Sequence, residues 1–188
     1  MNHARLANRY AKALFELALE QKKLDQVGAD MTLIAQAIDE NRELANMLKS
    51  PIIGLDKKEK VMTALFGKIT DPISLRFMIL VAKKSREEYL VHFAKEFTSI
   101  YKDYKGLIDA WVTTASDIDT EIREKLMKLL KKITGKTILL HEDINADLLG
   151  GFIVKVGDYQ YDASTKTLIR KLREDFSNNL YVNKIKIK

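Results

Sequence analysis

The sequence predicts an N-terminal all-α six-helix bundle followed by a small α+β domain, and three observations support this. Apolar residues recur at helical spacing as far as residue 105, whereas β-branched and aromatic runs typical of strands begin after Gly106. Only two prolines and eight glycines interrupt the 188 residues. With 46% hydrophobic and 31% charged residues, the composition suits a soluble protein with a substantial core. We therefore expect two domains, residues 1–105 and 106–188.

The first predicted helix covers about residues 4–22 and carries more apolar surface than one core requires. Its apolar side chains fill an arc of about 200°, roughly twice the stripe that faces a core in an ordinary surface helix. The second helix, about residues 24–39, has a narrower apolar face consisting of Val27, Met31, Ile34 and Ile38. A short third helix stops before Pro51, because a residue that precedes proline disfavours helical backbone.

Capping signals delimit the next two helices. The fourth is predicted to open at Asp56, with Glu59 placed as in a capping box, and to end at Gly67. Asp71 and Pro72 supply an N-cap and a proline at the first helical position of the fifth. The centre of that helix, FMILVA, is apolar on every side.

The sixth helix, about residues 86–105, ends at Gly106, and strand-like segments follow. LIDAWVTTA (107–115) is a predicted strand, and an amphipathic helix that ends at Gly135 separates it from a second strand, KTILLHE. A third strand then returns through a hairpin at residues 157–158. This order of elements predicts the α+β domain.

Two helices of the second domain are expected to bury their apolar faces. Ser164 is placed to cap the last helix, about residues 165–178, with three residues facing inward: Leu168, Leu172 and Phe176. The preceding helix, capped by Ser116 or Asp119, is expected to bury Ile122, Leu126, Leu129, Leu130 and Ile133.

No residue pattern indicates catalysis, a cofactor or a metal. The chain lacks cysteine, which excludes disulfides, thiolate catalysis and cysteine-bound metal. His3, His92 and His141 are far apart and lack metal-ligand spacing. The GKT of ITGKT resembles the end of a P-loop, but Leu130 stands where that motif needs its first glycine. Gly135 is therefore interpreted as a helix C-cap.

The adjacent glycines Gly150 and Gly151 do not fit a phosphate site either. The next glycine is Gly157, so the spacing of a dinucleotide-binding loop is absent, and the pair leads into a strand rather than a helix. A β-bulge or a close approach of two backbones explains such a pair better.

The net charge of +6 is concentrated near the C-terminus, where seven basic residues against two acidic ones follow residue 165. A basic tail suits nucleic acid, anionic lipid or an acidic partner, or is simply solvated. A free-standing nucleic-acid-binding module that uses this tail is the alternative function. No apolar run reaches the roughly 18 residues that a membrane span requires.

Surplus apolar surface on the first and fifth helices is the remaining functional signal. Both helices could lie centrally in the bundle, or their adjoining flanks could form a groove for an amphipathic helix of a partner. The residues alone favour neither interpretation.

Two stretches resemble the delta subunit of F-type ATP synthases, the family that includes the mitochondrial oligomycin-sensitivity-conferring subunit. ARLANRYAKALFELA (4–18) is similar to the first helix of the family. ILLHEDINADLLGGFIVKVGD (138–158) is similar to its C-terminal signature, including Gly150, Gly151 and Gly157. The extension YVNKIKIK (181–188) departs from the family pattern.

The resemblance implies a non-catalytic stator connector that resists rotor torque during proton-driven ATP synthesis. In such proteins the helical domain sits on the α3β3 catalytic crown and holds N-terminal helices of α subunits in a groove between helices one and five. The second domain holds the C-terminal region of the peripheral-stalk b subunits. No cofactor and no nucleic acid is implied.

The resemblance also implies a set of site residues and a location. The groove walls are expected to consist of Leu6, Tyr10, Ala13 and Leu17, facing Ile73, Phe77 and Leu80. The signature glycines are expected to be structural. We expect a peripheral protein on the cytoplasmic face of a bacterial cell membrane, associated with the membrane through its complex, and a plastid thylakoid location stays open.

Overall fold

A computed structural model of the chain describes residues 3–178. The chain folds into two compact units, and the boundary between them lies between Lys105 and Gly106. The part before this point is helical, and the part from Gly106 onward combines helices with a four-stranded sheet. A helical N-terminal part followed by an α+β part is the predicted order. The segment YVNKIKIK (181–188) lies outside the described residues.

The first unit consists of helices joined by short turns. These are α1 (His3–Glu20), α2 (Leu24–Glu40), α3 (Arg42–Lys49), α4 (Leu55–Phe66), α5 (Pro72–Lys83) and α6 (Leu90–Lys105), with a 3₁₀ turn at Glu87–Tyr89. Helices α1 and α2 both pack along α6, and α5 packs against α4. Phe93 and Phe97 of α6 are fully buried in one core with the predicted apolar face of α2, which is confirmed.

The predicted starts of α4 and α5 had different outcomes. Asp71 caps α5 as predicted, because its carboxylate accepts a hydrogen bond from the backbone nitrogen of Ile73 at 2.9 Å. The predicted start of α4 at Asp56 is wrong. Gly54 is the N-cap, and its carbonyl accepts from the backbone nitrogen of Lys58, so Asp56 lies in the first turn. A carboxylate there favours the helix electrostatically without capping it.

The second unit is a mixed sheet with one helical crossover. Its elements are β1 (Leu107–Thr114), α7 (Thr120–Thr134), β2 (Thr137–Ile144), a 3₁₀ turn (Ala146–Leu148), β3 (Phe152–Val156), β4 (Tyr159–Asp162) and α8 (Thr165–Asn178). The strand order is β2-β1-β3-β4, with β1 parallel to β2 and antiparallel to β3. The predicted hairpin is confirmed: β3 pairs antiparallel with β4 across residues 157–158, and Gly157 has φ +55°.

The core of the second unit is small. It contains Ala110, Val112, Leu130, Ile138, Val154 and Val156. Among the five residues that α7 was expected to bury, only Leu130 is buried, while Ile122, Leu129 and Ile133 are more than half exposed. The prediction for α8 is also wrong, because Leu168, Leu172 and Phe176 are exposed. Since α7 covers the sheet face that carries Ala110 and Val112, α8 packs instead beside the 3₁₀ turn.

Candidate functional site

An apolar groove lies between α1 and α5 and has a volume of about 450 Å³. We call it the α1–α5 groove. Its lining consists of Arg9, Tyr10, Ala13, Leu14 and Leu17 from α1, Gln21 just beyond the end of α1, Ile73, Arg76, Phe77 and Leu80 from α5, and Arg86. All but one of the seven residues predicted from the sequence therefore meet in one cavity.

The direction of the two helices explains the shape of the groove. Just beyond the end of α1, Lys23 contacts Asp71 at the start of α5 (2.7 Å). Near the start of α1, Tyr10 contacts Arg86, which follows the end of α5 (2.8 Å). The helices therefore run antiparallel, while each packs mainly on other helices. At 1.5 Å per residue, the α1 wall from Arg9 to Gln21 is about 18 Å long, or about three helical turns.

Aromatic side chains fix the base of the groove. The ring of Tyr10 stacks on that of Phe93, with 4.8 Å between centroids and 6° between planes. Phe77 meets both rings edge-on, at centroid distances of 6.4 and 6.5 Å. Such pairs contribute about 0.5–1.5 kcal/mol beyond the area they bury. By contrast Leu17 and Leu80 are 42% and 49% exposed, so the base is packed and the upper walls are open.

Three arginines give the groove a positive rim. Arg9, Arg76 and Arg86 line it, and none of them forms an ion pair within residues 3–178. The guanidinium of Arg86 donates to the Tyr10 hydroxyl and lies 5.5 Å from the ring centroid. The lining contains no carboxylate, so the groove suits an apolar ligand with negatively charged flanks.

Leu6 is the predicted groove residue that does not line the cavity. It is half-buried and packs against the core of the first unit. Sequence reasoning in turn missed Leu14 and Gln21, although each follows a predicted wall residue by one helical turn, and the two wall arginines beside Tyr10 and Phe77. Arg86 does not follow the helical period of α5, because it lies beyond the end of that helix, after a turn in which Ser85 has φ +53°.

A buried polar network holds the start of the α5 wall. The Asp71 carboxylate accepts from the Ile73 backbone and from Lys23, and these hydrogen bonds lower the pKa of Asp71 below its ordinary value. Asp30 of α2, also buried, accepts from the Asp71 backbone nitrogen at 2.8 Å and from the Ser74 hydroxyl at 2.6 Å. The network therefore ties α5 to α2 and orients one wall.

The glycine pair of the second unit lies against the start of α8. A Cβ added to Gly151, which has φ +76°, would lie 2.2 Å from the carbonyl oxygen of Ala163. One added to Gly150 would lie 2.9 Å from the Thr165 hydroxyl, and the Gly150 carbonyl accepts from the Thr165 backbone nitrogen at 3.0 Å. The pair thus lets two backbone segments approach closely where β3 begins.

The other sequence motifs have plain structural roles. Gly135 ends α7 in the left-handed conformation, with φ +67°. His141 contacts Asp109 at 2.8 Å and stacks on Trp111. In the described part of the chain no cluster of histidine and acidic residues could hold a metal ion, and no helix is long and apolar enough to cross a membrane.

Comparison with known proteins establishes the family. Residues 6–176 match the family model described as ATP synthase delta (OSCP) subunit. The chain belongs to the ATP synthase delta (OSCP) subunit family. It is 33% identical to ATP synthase subunit delta of Salinibacter ruber, over 93% of this chain and 92% of that subunit. It is 32% identical to the subunit of Christiangramia forsetii, over 98% of this chain and 100% of that subunit.

A solved structure shares the fold of the family. A chain in the Toxoplasma gondii mitochondrial ATP synthase hexamer aligns with a TM-score of 0.69 at 21% identity, over 93% of this chain and 99% of that chain. The delta (OSCP) family supplies the non-catalytic stator subunit of the peripheral stalk. No comparison supports the nucleic-acid-binding alternative.

Proposed function

We propose that this chain connects the catalytic sector of an F-type ATP synthase to the b subunits of the peripheral stalk and resists rotor torque during proton-driven ATP synthesis. In this proposal residues 1–105 act as a six-helix bundle that binds the catalytic sector, and residues 106–188 bind the stalk. The complex holds the protein at the cytoplasmic face of a bacterial cell membrane, with a plastid thylakoid as the alternative location. The observation that carries the proposal is the α1–α5 groove.

The proposed occupant of the groove is the N-terminal helix of an α subunit. A groove of about three helical turns with two antiparallel helical walls has the dimensions to receive one amphipathic helix. Ala13 leaves room for a large side chain of the partner, and Leu17 and Leu80 are open for contact. The arginine rim would pair with carboxylates on the flanks of that helix.

A stator contact must dissociate slowly under load, and the groove has features suited to this. Affinity differences between related interfaces lie mostly in the dissociation rate, which buried apolar anchors control. Rim charges act mainly on the association rate and on specificity. The rigid aromatic base supports such anchors without a large ordering cost on binding.

The test is a titration of the full-length protein with the N-terminal segment of the α subunit from the same organism. Leu80→Asp places a charge in the groove and should weaken binding by about tenfold or more, as loss of an anchor does. Leu65→Asp is the matched control, because Leu65 of α4 has the same exposure of 49% but lies outside the groove. Equal affinities for the two variants would contradict the groove as the attachment site.

A further inference from the structure

The turn that carries Arg86 presents two neighbouring side chains to two different cavities. Arg86 lines the α1–α5 groove and donates to the Tyr10 hydroxyl at 2.8 Å. Glu87, the next residue, lines a separate cavity of about 420 Å³, which the ends of α3 and α5 and the start of α4 also border. Any contact that holds Glu87 therefore also restricts where Arg86 can lie, since one planar peptide bond joins the two residues.

Glu87 is held by a lysine that the first unit buries. The ammonium group of Lys58 in α4 contacts one carboxylate oxygen of Glu87, and it donates to the carbonyl oxygen of Leu48, near the end of α3, at 2.9 Å. The side chains of Lys58 and Glu87 are 4% and 14% exposed. Lys58 thus links the turn to two helices, at a place where water weakens the ion pair less than it does at the surface.

The other carboxylate oxygen of Glu87 makes the turn dependent on this lysine. That atom, Oε2, is buried and has no hydrogen-bond partner within residues 3–178. Without the ammonium group of Lys58, both carboxylate oxygens would be buried and unpaired. An unpaired buried charge is costly, so the carboxylate would move toward water. Because the two residues are adjacent, this movement would displace Arg86 from the groove.

Backbone hydrogen bonds shape the turn but do not fix it against α4. The Arg86 nitrogen donates to the carbonyl oxygen of Val81 at 3.1 Å, and the Arg86 carbonyl accepts from the nitrogen of Tyr89 at 3.0 Å. Both bonds join residues that are close in sequence. The pair of Lys58 and Glu87, by contrast, joins residues that are 29 positions apart, so it fixes the turn relative to another helix.

We propose that Lys58 is a positioning residue of the α1–α5 groove, which acts through Glu87 to hold Arg86 where its guanidinium can pair with a carboxylate of the partner helix. The inference rests on the proposed function, under which that helix is the N-terminal segment of an α subunit. Lys58 does not itself line the groove, so its effect on binding passes through Arg86. An arginine that is already held in place loses less side-chain entropy when it forms such a pair.

The test is a double-mutant cycle in the full-length protein, titrated with the N-terminal segment of the α subunit from the same organism. Arg86→Gln should weaken binding about tenfold, because a charge-assisted hydrogen bond is lost. Lys58→Met, which keeps an unbranched side chain but removes its charge, should weaken binding by about threefold or more. The two changes together should weaken binding no further than Arg86→Gln alone. If the two effects instead multiply, Lys58 acts independently of Arg86 and the proposal is wrong.

Three further variants distinguish positioning from a general loss of structure. Lys58→Arg keeps a cation beside Glu87 and should restore binding to within about twofold of the unchanged protein. Glu88→Gln is the matched control, because Glu88 lies in the same turn and lines the same cavity but does not pair with Lys58. It should change the affinity by less than about twofold. Glu87→Gln replaces Lys58→Met in the cycle if that variant does not fold, and it should also weaken binding about threefold.

An NMR measurement without the partner separates this inference from the proposed function. The guanidinium carbon of Arg86 lies 5.5 Å from the centre of the Tyr10 ring, so the side-chain Nε–H signal of this arginine reports its position. The signal should shift in Lys58→Met and stay in place in Glu88→Gln. An unchanged signal in Lys58→Met would overturn the positioning role, whether or not the α segment binds. If the signal shifts but the α segment does not bind, the proposed function fails while the link from Lys58 to Arg86 stands.

Discussion

The two units of the molecule bury their apolar residues to different extents. In the first unit, α1, α2 and α6 enclose fully buried residues such as Phe93 and Phe97, and the α1–α5 groove lies open beside this core. In the second unit the core is limited to one sheet face and α7, and both helices leave apolar residues exposed. The difference indicates that the first unit has the larger buried core, whereas the second leaves more of the apolar surface of its helices exposed.

The two units also differ in the polar groups that they bury. The first unit buries Lys58, whose ammonium group contacts Glu87 and donates to the carbonyl oxygen of Leu48 at 2.9 Å. A buried pair of this kind fixes a geometry at a desolvation cost, so it requires a core large enough to hold it. Among the described residues of the second unit the buried polar side chain is Ser164, whose hydroxyl oxygen accepts from the Thr167 backbone nitrogen at 3.2 Å, and the backbone approaches closely at Gly151.

The largest expected effect is that of Phe93→Ala, which removes a fully buried ring at the base of the groove. Phe→Ala changes in cores cost about 3–5 kcal/mol. The first unit should unfold at a lower urea concentration by circular dichroism. The single tryptophan, Trp111, lies in the second unit, so its fluorescence transition should keep its midpoint. If both transitions shift together, the two units unfold as one and do not differ in their stability.

Gly151→Ala should destabilise the second unit and leave the stability of the first unit unchanged. The added Cβ meets backbone atoms of Ala163 and Ser164, which cannot yield as a flexible side chain does, and the backbone at Gly151 has positive φ. The free energy of unfolding of the second unit should fall by more than about 1 kcal/mol, so that the fluorescence of Trp111 changes at a lower urea concentration. Gly157→Ala is the control with positive φ alone, because its Cβ would approach only Ile108 at 3.9 Å. Equal losses in the two variants would argue against the close approach.

Asp71→Ala should destabilise the first unit by about 1–2 kcal/mol, because it removes the N-cap of α5. The buried Asp30 would keep both of its partners, the backbone nitrogen of residue 71 and the Ser74 hydroxyl. Urea unfolding followed by circular dichroism measures the change. A loss below about 0.5 kcal/mol would mean that the cap contributes little here.

The same residue makes the first unit sensitive to acid. Hydrogen bonds from Ile73 and Lys23 lower the pKa of Asp71 below its ordinary value of 3.8. The unfolded state therefore binds the proton more readily, so this stabilisation is present above pH 3.8 and is lost as the pH falls through the lower folded value. Asp71→Asn should show a weaker decline of stability over that range. Parallel pH profiles would show that other carboxylates cause the decline.

The sequence predicted the positions of the helices better than it predicted which of their residues are buried. Helical period placed α2 within one residue at each end, and the capping residue Asp71 placed the start of α5, since both signals are local. The same period predicted buried faces on α7 and α8, and there it was wrong. A periodic apolar stripe predicts an amphipathic helix, but it does not show whether the same chain covers the apolar face.

The groove was predictable for the same local reason, and only in part. Tyr10, Ala13 and Leu17 share one helical face, as do Ile73, Phe77 and Leu80, so period alone groups each wall. Their meeting depends on tertiary packing, which the sequence suggested only through resemblance to a family. Arg86 was missed because a turn, rather than a helix, sets its position.

The smallest expected effect is that of Leu80→Asp on the isolated protein. Leu80 is half exposed on the groove wall, and surface substitutions usually change stability by less than about 0.5 kcal/mol. Urea unfolding by circular dichroism should therefore give the same midpoint for Leu80→Asp and Leu65→Asp. A loss above about 1 kcal/mol would show that the first unit closes over Leu80, and its contrast with the second unit would disappear. An unchanged midpoint combined with weakened binding to the α segment would mean that this leucine contributes to association rather than to folding.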